Sequence, residues 1–159
     1  MKCLVFSDSH RNTHNMNKAL RLHPDAEVVF FLGDGISDAY MVSSTDRGRA
    51  WMVVAGNCDP GQLFADEFRK KTDAITLEEN RIVFTHGDLY GAKHGVVGLL
   101  SLAKERDANI VLFGHTHDPF EKYYSDEEVY LFNPGSIASG SYGIMTLRSN
   151  GVLFSHGKV

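Results

Sequence analysis

Seven side chains of metal-binding type stand in five short polar clusters: Asp8 and His10 in Ser7-Asp8-Ser9-His10, Asp34 in Gly33-Asp34-Gly35, Asn57 after Gly56, His86 in Thr85-His86-Gly87, and His115 and His117 in Gly114-His115-Thr116-His117. They offer two carboxylates, one amide oxygen and four imidazoles. Such a mixed nitrogen and oxygen set suits borderline first-row cations better than calcium or a thiolate-bound structural zinc. Seven ligands exceed the needs of one ion. If a carboxylate such as Asp34 bridges, each of two cations receives roughly four protein ligands and keeps open positions for water and substrate oxygens. Two cations about 3.5–4 Å apart lower the pKa of a bridging water and clamp the attacking and leaving oxygens of an in-line displacement. The expected chemistry is phosphoester hydrolysis with a metal-bridging hydroxide as nucleophile.

Each cluster follows an apolar run. A buried strand is expected over 2–6, a helix over 14–22, and two central strands over 27–32 and 51–55. A turn at Pro60-Gly61 precedes a hairpin of 74–77 and 81–84 around Glu78-Glu79-Asn80. Val96, Leu99, Leu100 and Ala103 have the spacing of an amphipathic helix over 96–106, and a strand over 109–113 leads into Gly114. Short strands over 121–124, 129–132, 142–147 and 152–155 follow, with turns at Asn133-Pro134-Gly135-Ser136 and Asn150-Gly151. Strands alternating with helices and then a hairpin-rich tail predict two sheets packed face to face with helices outside, in one domain spanning 1–159.

The clusters are spaced by 26 residues from Asp8 to Asp34, then 23 to Asn57, 29 to His86 and 29 to His115, each about one strand-helix-strand unit. Ligands in open α/β sheets bind beyond the carboxyl ends of the strands, so the five clusters should meet at one edge. Gly33, Gly56, Gly87 and Gly114 would let the backbone turn sharply and approach the metals. The short stretch between Asp34 and Asn57 leaves little room for a lid, so a shallow, open cleft is expected.

Arg11 and Asn12 follow a ligand directly and are candidates for a phosphate oxygen, the guanidinium by its geometry. Cys58 is read as a pocket-lining or packed thiol, since no Cys-His dyad motif accompanies it. His14, His23 and His156 are read as surface or satisfied core histidines, His94 as solvent-facing, Trp51 as core, and Ser125-Asp126-Glu127-Glu128 as a solvated hairpin loop.

Composition narrows the function class. A net charge of -4 with no basic block lacks the footprint for tight nucleic-acid binding, so a small phosphate ester is the expected substrate. The start MKCLVFSDSH has too short an apolar run for a signal peptide, and nothing approaches the ~20 apolar residues of a membrane span. The two cysteines, Cys3 and Cys58, suit a reducing, cytoplasmic setting.

With these motifs the sequence resembles the calcineurin-like metallophosphoesterases, in particular their small bacterial and archaeal phosphodiesterase branch. The family order D-x-H, G-D, G-N, H and G-H-x-H appears from Asp8 to His117, the branch's Asn-Cys-Asp variant as Asn57-Cys58-Asp59, and its Asn-Pro-Gly-Ser turn as Asn133 to Ser136. The resemblance implies an α/β four-layer sandwich, two mixed sheets flanked by helices. It also implies one ion on Asp8, His10, Asp34 and His117 and another on Asp34, Asn57, His86 and His115, with Asp34 the bridge. Manganese is the expected metal, with nickel, zinc, iron(II) and magnesium as alternatives, and a homodimer or homotetramer the expected assembly.

Two positions depart from the family. Larger members carry His after the metal-binding Asn, where this chain has Cys58, a poor leaving-group acid, so esters with good leaving groups are expected. Asp88 stands where many relatives have a second His. Two other classes of function remain open. A eukaryotic relative in the retromer complex uses this fold mainly as a protein-binding scaffold, which need not keep all seven ligands; metal storage would need no open coordination positions.

Overall fold

The computed structural model describes residues 1–59 and 70–159, which leaves the expected Pro60-Gly61 turn outside the described residues. The order is β1 (Lys2–Phe6), α1 (Thr13–Leu22), β2 (Val28–Phe31), α2 (Ile36–Thr45), β3 (Ala50–Val53), β4 (Thr72–Leu77), β5 (Asn80–Thr85), α3 (Val97–Glu105), β6 (Ile110–Leu112), β7 (Pro119–Tyr124), β8 (Val129–Pro134), β9 (Ser141–Arg148) and β10 (Gly151–Lys158). The strands form two mixed five-stranded sheets, ordered β10-β9-β1-β2-β3 and β4-β5-β6-β8-β7. β1, β2 and β3 run parallel in the first, and β5, β6 and β8 in the second.

Side-chain alternation along the strands assigns the layers. On β1, Leu4 and Phe6 face Met16, Ala19 and Leu20 of α1 and Ile36, Ala39 and Val42 of α2. Cys3 and Val5 point the other way, into a core between the sheets with Phe30, Phe84, Leu112 and Phe132. Leu99 and Ala103 of α3 cover the outer face of the second sheet at Val111, Phe113 and Leu131. The result is the expected sandwich of helices, sheet, sheet and helix, and strands buried on both faces explain the continuous apolar runs.

The Glu78-Glu79 turn closes the β4–β5 hairpin with both residues at positive φ (47° and 66°), while Asn80 Nδ2 donates to the Glu78 carbonyl at 2.9 Å. Two residues at positive φ match the right-handed twist of the paired strands.

Two sequence expectations need correction. The sequence reading assigns no helix to 36–45, yet α2 is there. Its buried positions include the polar Asp38, exposed Tyr40 and Met41 interrupt the apolar stripe, and Ser43, Ser44 and Thr45 are poor helix formers whose hydroxyls donate to the carbonyls of Tyr40, Met41 and Val42. β3, expected to be central, lies at the edge of its sheet. Trp51 on it packs against the core beneath α1 and α2 as expected but is only partly buried, with its indole N–H donating to Asp46 Oδ2 at 2.9 Å.

Phe30 is fully buried between the sheets and meets Phe84 edge-on at 5.3 Å between ring centroids. Phe30→Ala is expected to lower the unfolding free energy by about 3–5 kcal/mol, read from a shifted urea midpoint at unchanged slope.

Candidate metal centre

The five clusters do end the strands that were expected to carry them. β1 delivers Asp8, β2 Asp34, β3 Asn57, β5 His86 and β6 His115. The backbone then turns abruptly: Asp8, His10, Asp34, His115 and His117 all lie at positive φ (56°, 44°, 57°, 68° and 65°). Asp and His enter this left-handed region more readily than most residues, but at a cost of order 1–3 kcal/mol each that the surrounding structure must hold. Glycine is needed where two of these turns press together. A Cβ on Gly33 would strike the Gly56 backbone, and one on Gly56 would strike the Asp34 carboxylate.

Two ligand groups result, Asp8 with His10 and His117, and Asp8 with Asp34 and His86, each with its ligand atoms within 4.8 Å of one another. In the first, His117 Nε2 lies 3.1 Å and His10 Nε2 3.9 Å from Asp8 Oδ1, and the two Nε2 atoms are 3.3 Å apart. Asp8 is fully buried; Oδ2 accepts the His115 backbone N–H at 3.2 Å, while Oδ1 has no hydrogen-bond partner among the described residues. An orphaned carboxylate oxygen facing imidazole nitrogens is what a divalent cation would complete.

In the second group, His86 Nδ1 lies 2.7 Å from the Leu32 carbonyl oxygen, which can only accept. Nδ1 therefore carries the proton, and Nε2 is turned toward Asp34 Oδ2 at 3.4 Å and His115 Nδ1 at 3.2 Å. Burial works against charge on both partners. The His86 hydrogen bond and the Cys58 backbone N–H nevertheless hold the Asp34 carboxyl well below its usual range, and the Asp34 carboxylate raises His86. Burial, and then the neighbouring His86 charge, lower His115. Asn57 is exposed, and its Nδ2 donates to Cys58 Sγ at 3.3 Å. The residues present fit a divalent-metal site.

A family model for the calcineurin-like phosphoesterase superfamily domain matches residues 1–150. The chain belongs to this superfamily. It is 30% identical to the probable metallophosphoesterase YsnB of Bacillus subtilis over 94% of this chain and 86% of that one. It is 29% identical to the phosphodiesterase YfcE of Escherichia coli over 91% of this chain and 87% of that one. Its fold is also that of Vacuolar Protein Sorting 29 from Cryptosporidium parvum, at a TM-score of 0.75 and 16% identity over 99% of this chain and 97% of that one. As a calcineurin-like phosphoesterase, the chain is a metal-dependent hydrolase of phosphate esters.

A cleft of about 360 Å³ beside the ligands is lined by His10, Arg11, Asp34, Gly35, Ser37, Asp38, Cys58 and Asp59. Arg11 and Cys58 are thus at the cleft. Asn12 is not among its lining: its Oδ1 caps α1 by accepting the Asn15 N–H at 3.3 Å and its Nδ2 donates to the Ala138 carbonyl at 3.3 Å. The remaining histidines lie elsewhere. His14 and His94 are exposed, His23 Nε2 pairs with the Tyr142 hydroxyl at 2.9 Å, and His156 donates from Nε2 to the Asn133 carbonyl at 2.7 Å. Asp88 opens a short 3-10 turn, Asp88–Tyr90, and is half-buried.

Sequence reasoning missed the residues that hold the ligand loops. Buried Asp38 accepts the Ser9 hydroxyl at 2.6 Å and the Arg11 N–H at 2.8 Å through Oδ2. Asn133 donates to the Gly114 carbonyl at 2.9 Å and the Thr116 hydroxyl at 3.0 Å, and the Ser136 hydroxyl donates to the Asp8 carbonyl at 2.8 Å. The Asn-Pro-Gly-Ser turn was the one signal that could have located this support.

The two thiols differ sharply. Cys3 is fully buried, and burial pushes its thiol up to about 12; Cys58 is exposed, although its hydrogen bond to Asp34 raises it as well. A disulfide reagent is expected to titrate one thiol in native protein and the second only after unfolding in guanidinium. Two equivalents in the native protein would contradict the burial of Cys3.

Proposed function

We propose that the chain hydrolyses a small phosphodiester, or an activated phosphomonoester, at a centre of two divalent cations. The observation that carries this reading is Asp8 Oδ1, buried, without a hydrogen bond among the described residues, and facing His10 and His117. Asp8, His10, Asp34 and His117 would hold one ion, and Asp34, Asn57, His86 and His115 the other. Asp8 enters both ligand groups, whereas Asp34 enters only the one with His86, so the bridging role of Asp34 rests on the family resemblance. When bound, the ions supply Lewis acidity and a water of lowered pKa. Manganese is the first candidate for this mixed nitrogen and oxygen set.

The chain's own residues then orient and discriminate. Leu32 fixes the His86 tautomer so that Nε2 is presented to the site. Arg11, exposed at the cleft, offers a planar donor pair to the non-bridging oxygens of the phosphate. Cys58 lines the same cleft and is a weak proton donor, so the reaction relies on leaving groups that depart without strong acid assistance. Asn12 is reassigned from phosphate binding to positioning, because both ends of its side chain are engaged. The domain spans 1–159 and functions in the cytoplasm, consistent with two unpaired cysteines.

The likeness to Vacuolar Protein Sorting 29 keeps a scaffold role as the alternative, but at 16% identity it concerns the fold alone. A scaffold gives no reason to retain all seven ligands.

The test uses protein stripped of metal and then supplied with manganese, nickel, zinc or magnesium, assayed on a chromogenic phosphodiester and its matching monoester. Turnover is expected to return with metal, to favour the diester, and to fall at least about a hundredfold in Asp34→Asn and His86→Ala. Two ions bound per chain with no turnover on either ester would put the scaffold reading first.

A further inference from the structure

Asp59 closes a junction that none of the metal-ligand assignments explains. Its Oδ2 accepts the backbone N–H groups of Asp34 and Gly56, each at 2.8 Å, and its Oδ1 accepts those of Gly35 at 2.8 Å and Ile36 at 2.9 Å. One carboxylate thus ties the loop after β2, which carries Asp34, to the loop after β3, which carries Asn57. Gly35 and Ile36 also begin α2, so a negative charge sits at that helix's N-terminus and occupies N–H groups that would otherwise be open to a phosphate. The arrangement requires both carboxylate oxygens, each accepting twice. An amide in its place keeps one acceptor and turns an NH2 group toward two N–H donors.

We propose that Asp59 is the positioning residue for the second metal position: it sets the separation of Asp34 and Asn57, and without it the ion expected on Asp34, Asn57, His86 and His115 is lost first. The inference rests on the two-ion reading. Among the described residues the Asp59 carboxylate bonds only to backbone N–H groups. The loop of Asp8 and His10 leans on the same Asp34 loop, with the His10 N–H donating to the Asp34 carbonyl at 3.2 Å, but it also has supports of its own, Asp38 through Ser9 and Arg11 and Ser136 through Asp8. Asp59 thus bears on the second position through two ligand loops, those of Asp34 and Asn57, and on the first only through the shared Asp34, where Asp38 and Ser136 give further support.

The test titrates manganese into stripped wild type, Asp59→Asn and Asp38→Asn, followed by electron paramagnetic resonance, which separates single ions from spin-coupled pairs. Hydrogen exchange of the Asp34, Gly35, Ile36 and Gly56 amides is measured in parallel. In Asp59→Asn these amides are expected to lose protection, and the coupled pair is expected to need about tenfold to a hundredfold more manganese, while the first ion weakens by clearly less than the second. Asp38→Asn is expected to weaken the first ion instead. If Asp59→Asn does not fold, Asp59→Glu, which keeps both acceptor oxygens, is expected to recover amide protection and pairing in step; pairing recovered without protection would overturn the proposal. A coupled pair at wild-type manganese in Asp59→Asn would overturn it alone. A wild type that never pairs its ions would overturn the two-ion reading and this proposal together.

Discussion

Asp8 and Asp34 are buried carboxylates at the seam of two sheets, and among the described residues no lysine or arginine forms an ion pair with either. Burying a carboxylate without a compensating charge is expensive, and placing two in one site compounds the cost through like-charge repulsion. Among the described residues the side chains that approach them are the Cys58 thiol and imidazoles, and the imidazoles can ligate a metal as well. The rest of the structure follows from this constraint: cations must complete the site, and the chain must hold the loops so that the ligands stay poised for them.

The sandwich meets that demand by giving each ligand cluster to the carboxyl end of a different strand. β1, β2 and β3 run parallel in one sheet and β5 and β6 in the other, and the shared core of Phe30, Phe84, Leu112 and Phe132 holds the two sheets together beneath the site. The left-handed turns at Asp8, His10, Asp34, His115 and His117 stand where these side chains gather at the strand ends. Such strain persists only where neighbours fix it, and here Asp38, Asp59, Asn133 and Ser136 do so through backbone hydrogen bonds. Rigid loops serve catalysis because a pre-organised ligand set leaves less reorganisation for the reacting state.

Much of this was legible in the sequence, and what was not has a physical reason. Apolar runs ending in Gly-Asp, Gly-Asn or Gly-His are read directly because burial on both faces leaves no polar interruption until the chain leaves the sheet. α2 was hidden because Asp38, buried for its bonds to Ser9 and Arg11, breaks the apolar stripe that would have announced a helix. β3 read as central since its apolar run continues past the strand into Val54 and Ala55, which are buried although the strand itself lies at the edge. The supports are the least legible layer. Asp59 bonds residues 23 to 25 positions away and Asp38 reaches Ser9 across 29, pairings that only the fold brings together. Asn12 illustrates the converse: next to a ligand in sequence, it faces α1 and Ala138 in space.

The most direct measurement of the central claim is anomalous diffraction at the manganese edge from crystals grown with that metal. Two peaks about 3.5–4 Å apart are expected, one on His10 and His117 and the other on His86 and His115, with Asp8 and Asp34 between them. A single peak, or two peaks too far apart to share a carboxylate, would contradict a binuclear centre built from these five strand ends.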